Sequence, residues 1–426
     1  MRMSEIDKSS YSTEPVVYGK DECGKFQGLI SRAALTVIEK LNKGGYNGYL
    51  VGGAVRDILL GKTPKDFDIA TDARPEQVVA LFKNSRMIGR RFRIVHVRFG
   101  REIIEVATFR AAHNQSSASA KTSTDGQLLR DNVYGRFEDD VWRRDFTINA
   151  LYYDIRDSSV IDYVGGVRDL RSNIIRLIGD PEVRYREDPV RMLRAIRFAA
   201  KLNFKITPSA SSPISSLAYL LQEISPARLF DESLKLFSSG YACDSYKGLV
   251  GHDLFRHLYS VGGGELNSSD PFDNKFVLSA LENTDRRIKD GKSVNPAFLI
   301  AVFLWSTMQR HYSEYQRSGL PARVALLNAS DRTISAQIKQ LSIPKRLTLA
   351  VREIWELQSR FFKRTPKRAN RLYCHPRFRA AYDFLVLRSV DEADLKALGD
   401  WWTLYQEVDE TQRKNLFGEI EIQQRH

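Results

Sequence analysis

The 426-residue chain is poor in several things, and each shortage removes a class of protein. It has three cysteines, Cys23, Cys243 and Cys374, odd in number and scattered. That excludes a disulfide framework and a cysteine-type zinc site and suits a reduced compartment. Its longest apolar run, Phe298 to Trp305, falls far short of the roughly 20 residues that span a bilayer. The opening Met1-Arg2-Met3-Ser4-Glu5 carries no apolar leader, so secretion is not expected and the cytoplasm is. No internal repeat recurs at a fixed period. Hydrophobic residues at 42% and charged residues at 27% are those of a globular chain, which excludes a disordered one. Acidic residues are outnumbered, 52 against 65 Lys and Arg, for a net charge of +13. Such a surplus points to a polyanionic partner, nucleic acid first.

The pattern changes along the chain. Residues 1–25 are polar and aperiodic and read as a flexible tail. Leu29, Ala33, Val37 and Leu41 recur at helical spacing up to Gly44-Gly45. Tyr49–Val51 reads as a strand running into Gly52-Gly53, and helical spacing resumes from Ala54 to Leu60. Strand signals return at 67–69, 94–99 and 103–109, with a helix opening at Pro75. The stretch 111–126 is rich in Ser, Thr and Ala and reads as a loop. Beyond about residue 180 helical segments dominate: 189–203, 226–239, 275–289, 296–310, 331–341, 346–362, 376–388 and 393–406. The expected fold class is α+β, a mixed-sheet head followed by an all-helical remainder.

Asp66-Phe67-Asp68 places two carboxylates at i and i+2, on one face of a strand, with Phe67 on the other. Paired oxygen ligands suit a hard cation such as Mg2+. Turns and solvated edges also produce Asp-x-Asp. Glu105 interrupts the apolar run 103–107, as a third carboxylate near the first two or as an edge residue facing water. Gly52-Gly53, between strand and helix, lets backbone amides approach a phosphate or simply makes a tight turn.

Leu50 to Asp57, Leu59-Leu60-Gly61 and Asp66 to Thr71 resemble, in order and without gaps, the active-site signature of class II nucleotidyltransferases. These are the CCA-adding enzymes and bacterial poly(A) polymerases of the polymerase-β-like superfamily. The resemblance implies a nucleotidyltransferase head at 26–175, a helical neck at 176–265 and a helical body at 266–426 ending in an RNA-binding region. It implies that Gly52 and Gly53 hold the nucleotide triphosphate. Asp66 and Asp68 would bind two Mg2+ ions, about 3.5–4 Å apart, with Glu105 nearby. Arg143 to Ala150 is similar to a second motif, which adds Asp145 to the catalytic set and Arg144 and Asn149 to the nucleotide site. On the residues alone, Asp145 reads as a helix cap. Glu187-Asp188-Pro189-Val190-Arg191 resembles the base-recognition motif, whose counterparts here are Asp188 and Arg191. Asp188 also reads as a helix N-cap before Pro189, with Arg191 its partner one turn on. Arg56, Asp57, Arg194 and Arg197 complete the nucleotide-binding set, the last two on a stripe with Arg191 and Lys201 that equally suits a solvated face.

Met87 to Val97 resembles the Gly-Arg-Arg-Phe…His signature that separates bacterial poly(A) polymerases from CCA-adding enzymes, with Met87 where an aliphatic β-former is usual. It supplies Arg90 and Arg91 as RNA contacts. Tyr163 to Leu170 repeats the Gly-Gly…Arg-Asp wording without following carboxylates and reads as a turn. From Arg360 to Arg379 eight Lys and Arg stand with no acid, among them Lys363, Arg364, Lys367 and Arg368. Phe361, Phe362, Tyr373 and Phe378 interleave, a composition suited to single-stranded RNA or to a core under a charged face. The expected activity is template-independent addition of AMP from ATP to RNA 3′ ends, by a monomer. The alternatives are CCA addition to tRNA and a catalytically silent RNA-binding protein.

Overall fold

The computed structural model describes residues 14–24, 26–89, 93–111, 121–122, 128–130, 133–259, 271–389 and 393–423. Their contacts divide into two compact units, one up to Leu217 and one from Ala218 onward. Both expectations for the fold hold: a mixed sheet belongs to the first unit, and the second is helical.

Twelve strands are formed among the described residues: β1 (Val16–Tyr18), β2 (Gly48–Val51), β3 (Asp68–Thr71), β4 (Ser85–Ile88), β5 (Ile94–Phe99), β6 (Glu102–Thr108), β7 (Lys121–Thr122), β8 (Leu128–Arg130), β9 (Leu151–Asp154), β10 (Ser159–Asp162), β11 (Ile174–Ile175) and β12 (Lys205–Ile206). Eight of them form one sheet in the order β1-β10-β9-β2-β3-β6-β5-β4. Its pairings are antiparallel except β3 against β6, which is parallel. The helices of this unit are α1 (Lys20–Cys23), α2 (Arg32–Lys43), α3 (Gly53–Leu59), α4 (Pro75–Leu81), α5 (Phe137–Arg143), α6 (Gly166–Arg171), α7 (Pro181–Glu187), α8 (Val190–Leu202), α9 (Pro208–Ser211) and α10 (Ile214–Leu217).

Helix α2 begins where the Ser31 hydroxyl accepts from the Ala34 amide at 3.1 Å and buries Ala33, Ala34, Val37, Ile38 and Leu41. A Cβ on Gly48 would meet Leu41 and Ile38, so α2 covers the sheet face that carries Leu50, Ile69, Val106 and Val95. Alternation sends the intervening residues to the opposite face. There α5 packs Val141 and Trp142 against Val51, Ala70 and Tyr152. Toward β6 and β5 that same face opens to solvent through Ile103, Glu105 and Arg98.

Two expectations are corrected here. Within the expected tail, Val16–Tyr18 pairs with β10 as an edge strand. The 296–310 helix breaks at Leu304 into two helices, Pro296–Phe303 and Trp305–Arg317. The 111–126 loop lies largely outside the described residues.

The second unit holds α11 (Pro226–Phe237), α12 (Ala242–Gly251), α13 (Pro271–Lys289), α14 (Pro296–Phe303), α15 (Trp305–Arg317), α16 (Ala322–Gln340), α17 (Lys345–Phe361), α18 (Pro366–Tyr373), α19 (Phe378–Arg388), α20 (Ala393–Glu407) and α21 (Glu410–Gln423). One core cluster joins Phe361, Phe378, Leu385, Trp402 and Tyr405 across α17, α19 and α20. No helix among the described residues is long and apolar enough to cross a membrane.

Candidate active site

Strand β3 starts at Asp68, and the residue before it, Phe67, is buried while Asp66 and Asp68 stay exposed. Asp68 lies opposite Glu105 of β6, and Glu105 lies opposite His96 of β5. Residues facing each other across a ladder share a face, so these three side chains form one row on the open face. The His96 Nε2 stands 3.2 Å from Glu105 Oε1. Asp68 keeps solvent contact, while the atoms packed around it reduce its hydration. That burial, with Glu105 and Asp66 beside it and Arg144 pulling the other way, pushes its carboxyl up to about 6. Among the described residues no group of three or more His, Cys, Asp or Glu gathers closely enough to hold a metal ion unaided. The donor set is therefore a carboxylate pair with a third acid in register.

Beside the carboxylates, β2 ends at Val51, which lies opposite Asp68, and the chain turns through Gly52 into α3. Gly52 has φ +72° and ψ −124°, a left-handed backbone that side chains disfavour. The first amides of α3 have no intrahelical acceptor by geometry. Arg144 stands over this turn: a Cβ on Gly52 would lie 3.6 Å from its Nη1. Its Nε donates to the Tyr152 hydroxyl at 2.7 Å and its Nη2 to Asp140 at 3.0 Å, and Tyr152 in turn donates to Asp140 at 2.6 Å. One cation is thus anchored next to both the glycines and Asp68.

Arg56 is almost fully buried, and its guanidinium is spent internally. It donates to Asp57 Oδ1 at 2.6 and 2.8 Å and to Asn149 Oδ1 at 2.7 Å. Asn149 passes the chain on to Asp145 at 3.3 Å, and Asp145 accepts from Arg194 at 2.7 Å. Asp145 does not cap a helix; the following 3-10 turn, Thr147–Asn149, begins after Phe146. Burial alone would raise the Asp145 carboxyl, but Arg194, the Phe146 amide and Asn149 outweigh it and hold it at about 2. Phe198 lies at the centre of this group, with the guanidiniums of Arg56, Arg194 and Arg197 over its ring at 5.3, 5.3 and 4.6 Å.

The α7–α8 junction carries a second basic group. Glu187 receives Arg184 at 2.7 Å and Arg191 at 2.8 Å, while Arg184 also donates to the carbonyls of Arg143 and Arg144. The partner of Arg191 is Glu187, four residues earlier. Pro189, rather than Asp188, occupies the N-cap position of α8, and Asp188 closes α7. Burial and the neighbouring Arg110, Arg184 and Arg191 lower the Arg143 guanidinium to about 9; burial and Arg191 lower Arg184 to about 10. Cations crowded in this way favour an arriving anion.

The structure brings Gly52, Gly53, Asp66, Asp68, Glu105, Arg144, Asp145, Asn149, Asp188, Arg191, Arg194 and Arg197 into one unit. Asp140, Tyr152, Arg184 and Phe198, which hold these groups in place, went unnoticed in the sequence, where no spacing marks a buried Tyr or Asp as a partner. The second Gly-Gly is closed: the Asp162 carboxylate accepts from the amides of Val164, Gly166 and Val167 at 2.9 to 3.0 Å. Of the residues expected to contact RNA, Arg90 and Arg91 lie outside the described residues. Lys363, Lys367 and Arg368 are exposed in the second unit, and Arg364 lies over Trp401 at 5.4 Å. Phe361 and Phe378 belong to the core, and Tyr373 packs against it, so of the four interleaved aromatics Phe362 is the exposed one.

Comparison with known proteins gives three family matches: "Poly A polymerase head domain" over residues 48–176, "Probable RNA and SrmB- binding site of polymerase A" over 203–261 and "Polymerase A arginine-rich C-terminus" over 318–426. Poly(A) polymerase I of Salmonella typhi is 49% identical over 92% of this chain and 86% of its own. That of Haemophilus influenzae is 45% identical over 91% and 87%. A CCA-adding enzyme of Bacillus licheniformis is 37% identical over 54% of this chain and 56% of its own. Among solved structures, the CCA-adding enzyme of Bacillus stearothermophilus in complex with CTP superposes with TM-score 0.59 at 25% identity, over 91% of this chain and 82% of that one. The Thermotoga maritima CCA-adding enzyme complexed with tRNA shares the fold, with TM-score 0.61 at 18% identity over 91% and 86%. The long matches in sequence run to the polymerases, while the CCA-adding enzyme matches half the chain, and this chain belongs to the poly(A) polymerase family.

Proposed function

We propose that the chain adds AMP from ATP to RNA 3′ ends without a template, and that the carboxylate row beside the Gly52 turn is where it does so. The RNA 3′-hydroxyl attacks the α-phosphorus of ATP, the new P–O bond forms as the bond to the bridging oxygen breaks, and pyrophosphate leaves. The observation that carries this reading is the placement of Asp68, in register with Glu105 and close to Asp66, next to a glycine turn overlooked by Arg144.

The donor set fits Mg2+. That ion is ordinarily held by one or two carboxylates, with substrate phosphates and water completing its shell. Asp66 and Asp68 supply such a pair, and the raised Asp68 carboxyl marks negative charge that a cation relieves. When bound, Mg2+ neutralises developing charge on the triphosphate and acidifies the attacking hydroxyl. Gly52 and Gly53 let the triphosphate approach the backbone, and Arg144 lends it positive charge. Arg194 holds Asp145, which with Asn149 fixes the wall beside the sugar. Asp188 and Arg191, backed by Glu187 and Arg184, choose the base by protein groups alone, since no template strand exists. Positioning and charge stabilisation supply most of the rate, as in phosphoryl transfer generally. Lys363, Lys367 and Arg368 contact the RNA backbone. The chain acts as a monomer in the cytoplasm.

Extension of a labelled RNA and of a tRNA lacking its 3′ end, with ATP and CTP given singly and together, tests the reading. A long ladder with ATP alone is expected. Three ordered additions and a stop would assign CCA repair instead, and absence of pyrophosphate release with Mg2+ and RNA would leave an RNA-binding protein.

A further inference from the structure

In the second unit, a cavity of about 330 Å3 lies among α13, the loop leading into α14, α17 and the start of α19. Its size is that of the smaller ligand pockets, enough for about one mononucleotide. Two kinds of group line it. Phe298, Pro296 and Pro376 give flat apolar walls, and Arg287, Arg377 and Arg379 give three guanidiniums against one carboxylate, Asp383. Glu353 holds Arg377 through Nε at 3.0 Å, and Asp383 holds Arg379 through Nε at 3.0 Å. Among the described residues both arginines are thus fixed at Nε with their terminal nitrogens left for a further acceptor. A guanidinium steadied in this way presents a ready fork to a phosphate. Burial pushes the Asp383 carboxyl up against the pull of Arg379 and Arg287. Among the described residues Asp383 is the one carboxylate in the lining.

We propose that this cavity binds one nucleotide unit, its phosphate on Arg377 and Arg379 and its base against Phe298 and Pro296. Aromatic and apolar walls hold any base by its face, while paired arginines demand an anion beside it. The proposal rests on the reading that the chain works on RNA. The nucleotide comes either from the RNA strand or from free nucleoside monophosphate.

The test uses the full chain, AMP and a fluorescent oligo(A), with two variants. One is R377Q/R379Q. The other is Val294→Trp, which fills the cavity from the loop without altering a charge and carries the test should the double variant not fold. If the strand is the source, both variants weaken oligo(A) binding about tenfold. The charge variant also flattens the slope of log affinity against log salt by about 0.7, the share of one phosphate contact. AMP transfer at saturating RNA keeps its kcat. If free nucleotide is the source, both variants lose one equivalent of bound AMP while oligo(A) binding holds. Binding of both probes unchanged in the folded variants overturns the proposal. Failure of the unaltered chain to extend RNA would sink the functional reading by itself, and the AMP and oligo(A) titrations would still decide the cavity.

Discussion

Asp68 and Asp145 are both aspartates in the head, and their surroundings drive them in opposite directions. Burial, Glu105 and Asp66 lift Asp68 to about 6, so its proton must leave before it can hold a cation. At limiting Mg2+, AMP incorporation is expected to fall as pH drops through about 6, and added Mg2+ should move that midpoint lower; a midpoint indifferent to Mg2+ would detach Asp68 from the metal. The sign for stability follows from a folded value above the unfolded one near 4: the charge disfavours the fold above pH 6, and the penalty fades in acid. Asp68→Asn should therefore abolish incorporation, as should Asp66→Asn, with RNA binding kept. In Mg2+-free buffer near pH 7.5 the Asp68→Asn melting temperature should stay level or rise. Asp145, held at about 2, stays ionised at every working pH and contributes stability that begins to fade near pH 4 and is gone once pH has fallen through about 2. Asp145→Asn removes a charged acceptor from Arg194, which is about one-third exposed, and should cost about 1–3 kcal/mol, read as a lowered melting temperature.

Between β2 and α3 the element boundary itself carries the proposed triphosphate contact. Gly52 at φ +72° tolerates a side chain only with backbone strain of about 1–2 kcal/mol, while the space beside it is open to 3.6 Å. Gly52→Ala should then fold, with a modest stability loss and a larger rise in KM for ATP; unchanged KM would remove the turn from the nucleotide site. The legible elements share this directness. Residues 95–99 alternate apolar with polar, Pro75 opens α4, and the carboxylate pair flanks a buried Phe67, so local pattern and final structure agree. Elements that were missed depend on partners far away in the chain. Val16 and Val17 are exposed and look like tail until β10 offers an edge. Leu151–Asp154 is buried along its whole length by neighbours on both sides, so it shows no alternation. Gly165–Gly166 copies the wording of Gly52–Gly53, yet Asp162 fills its amides, and a Cβ on Gly166 would lie 2.3 Å from the Thr147 carbonyl oxygen. That glycine serves close packing of α6 on the turn carrying Asn149.

Across the whole molecule, the positive charge stands in two different settings. In the first unit, arginines are partly or wholly buried and ion-paired around the carboxylate row, through Glu187, Asp145 and Asp140. In the second, Lys363, Lys367 and Arg368 stand exposed over a core made by Phe361 and Phe378, which places the charge outside and most of the aromatics inside. Phosphate contacts made by such exposed groups release counterions, each flattening the salt dependence by about 0.7 when lost. A Lys363→Ala, Lys367→Ala, Arg368→Ala chain should thus bind RNA with a slope lower by about 2 and a raised KM for RNA, at unchanged kcat. Arg364 differs from its neighbours because its guanidinium packs on Trp401 and burial lowers it. Arg364→Ala should lower the melting temperature more than the RNA affinity. If the triple variant keeps the salt slope of the unaltered chain, the basic surface over α18 is a solvated face and the RNA lies elsewhere.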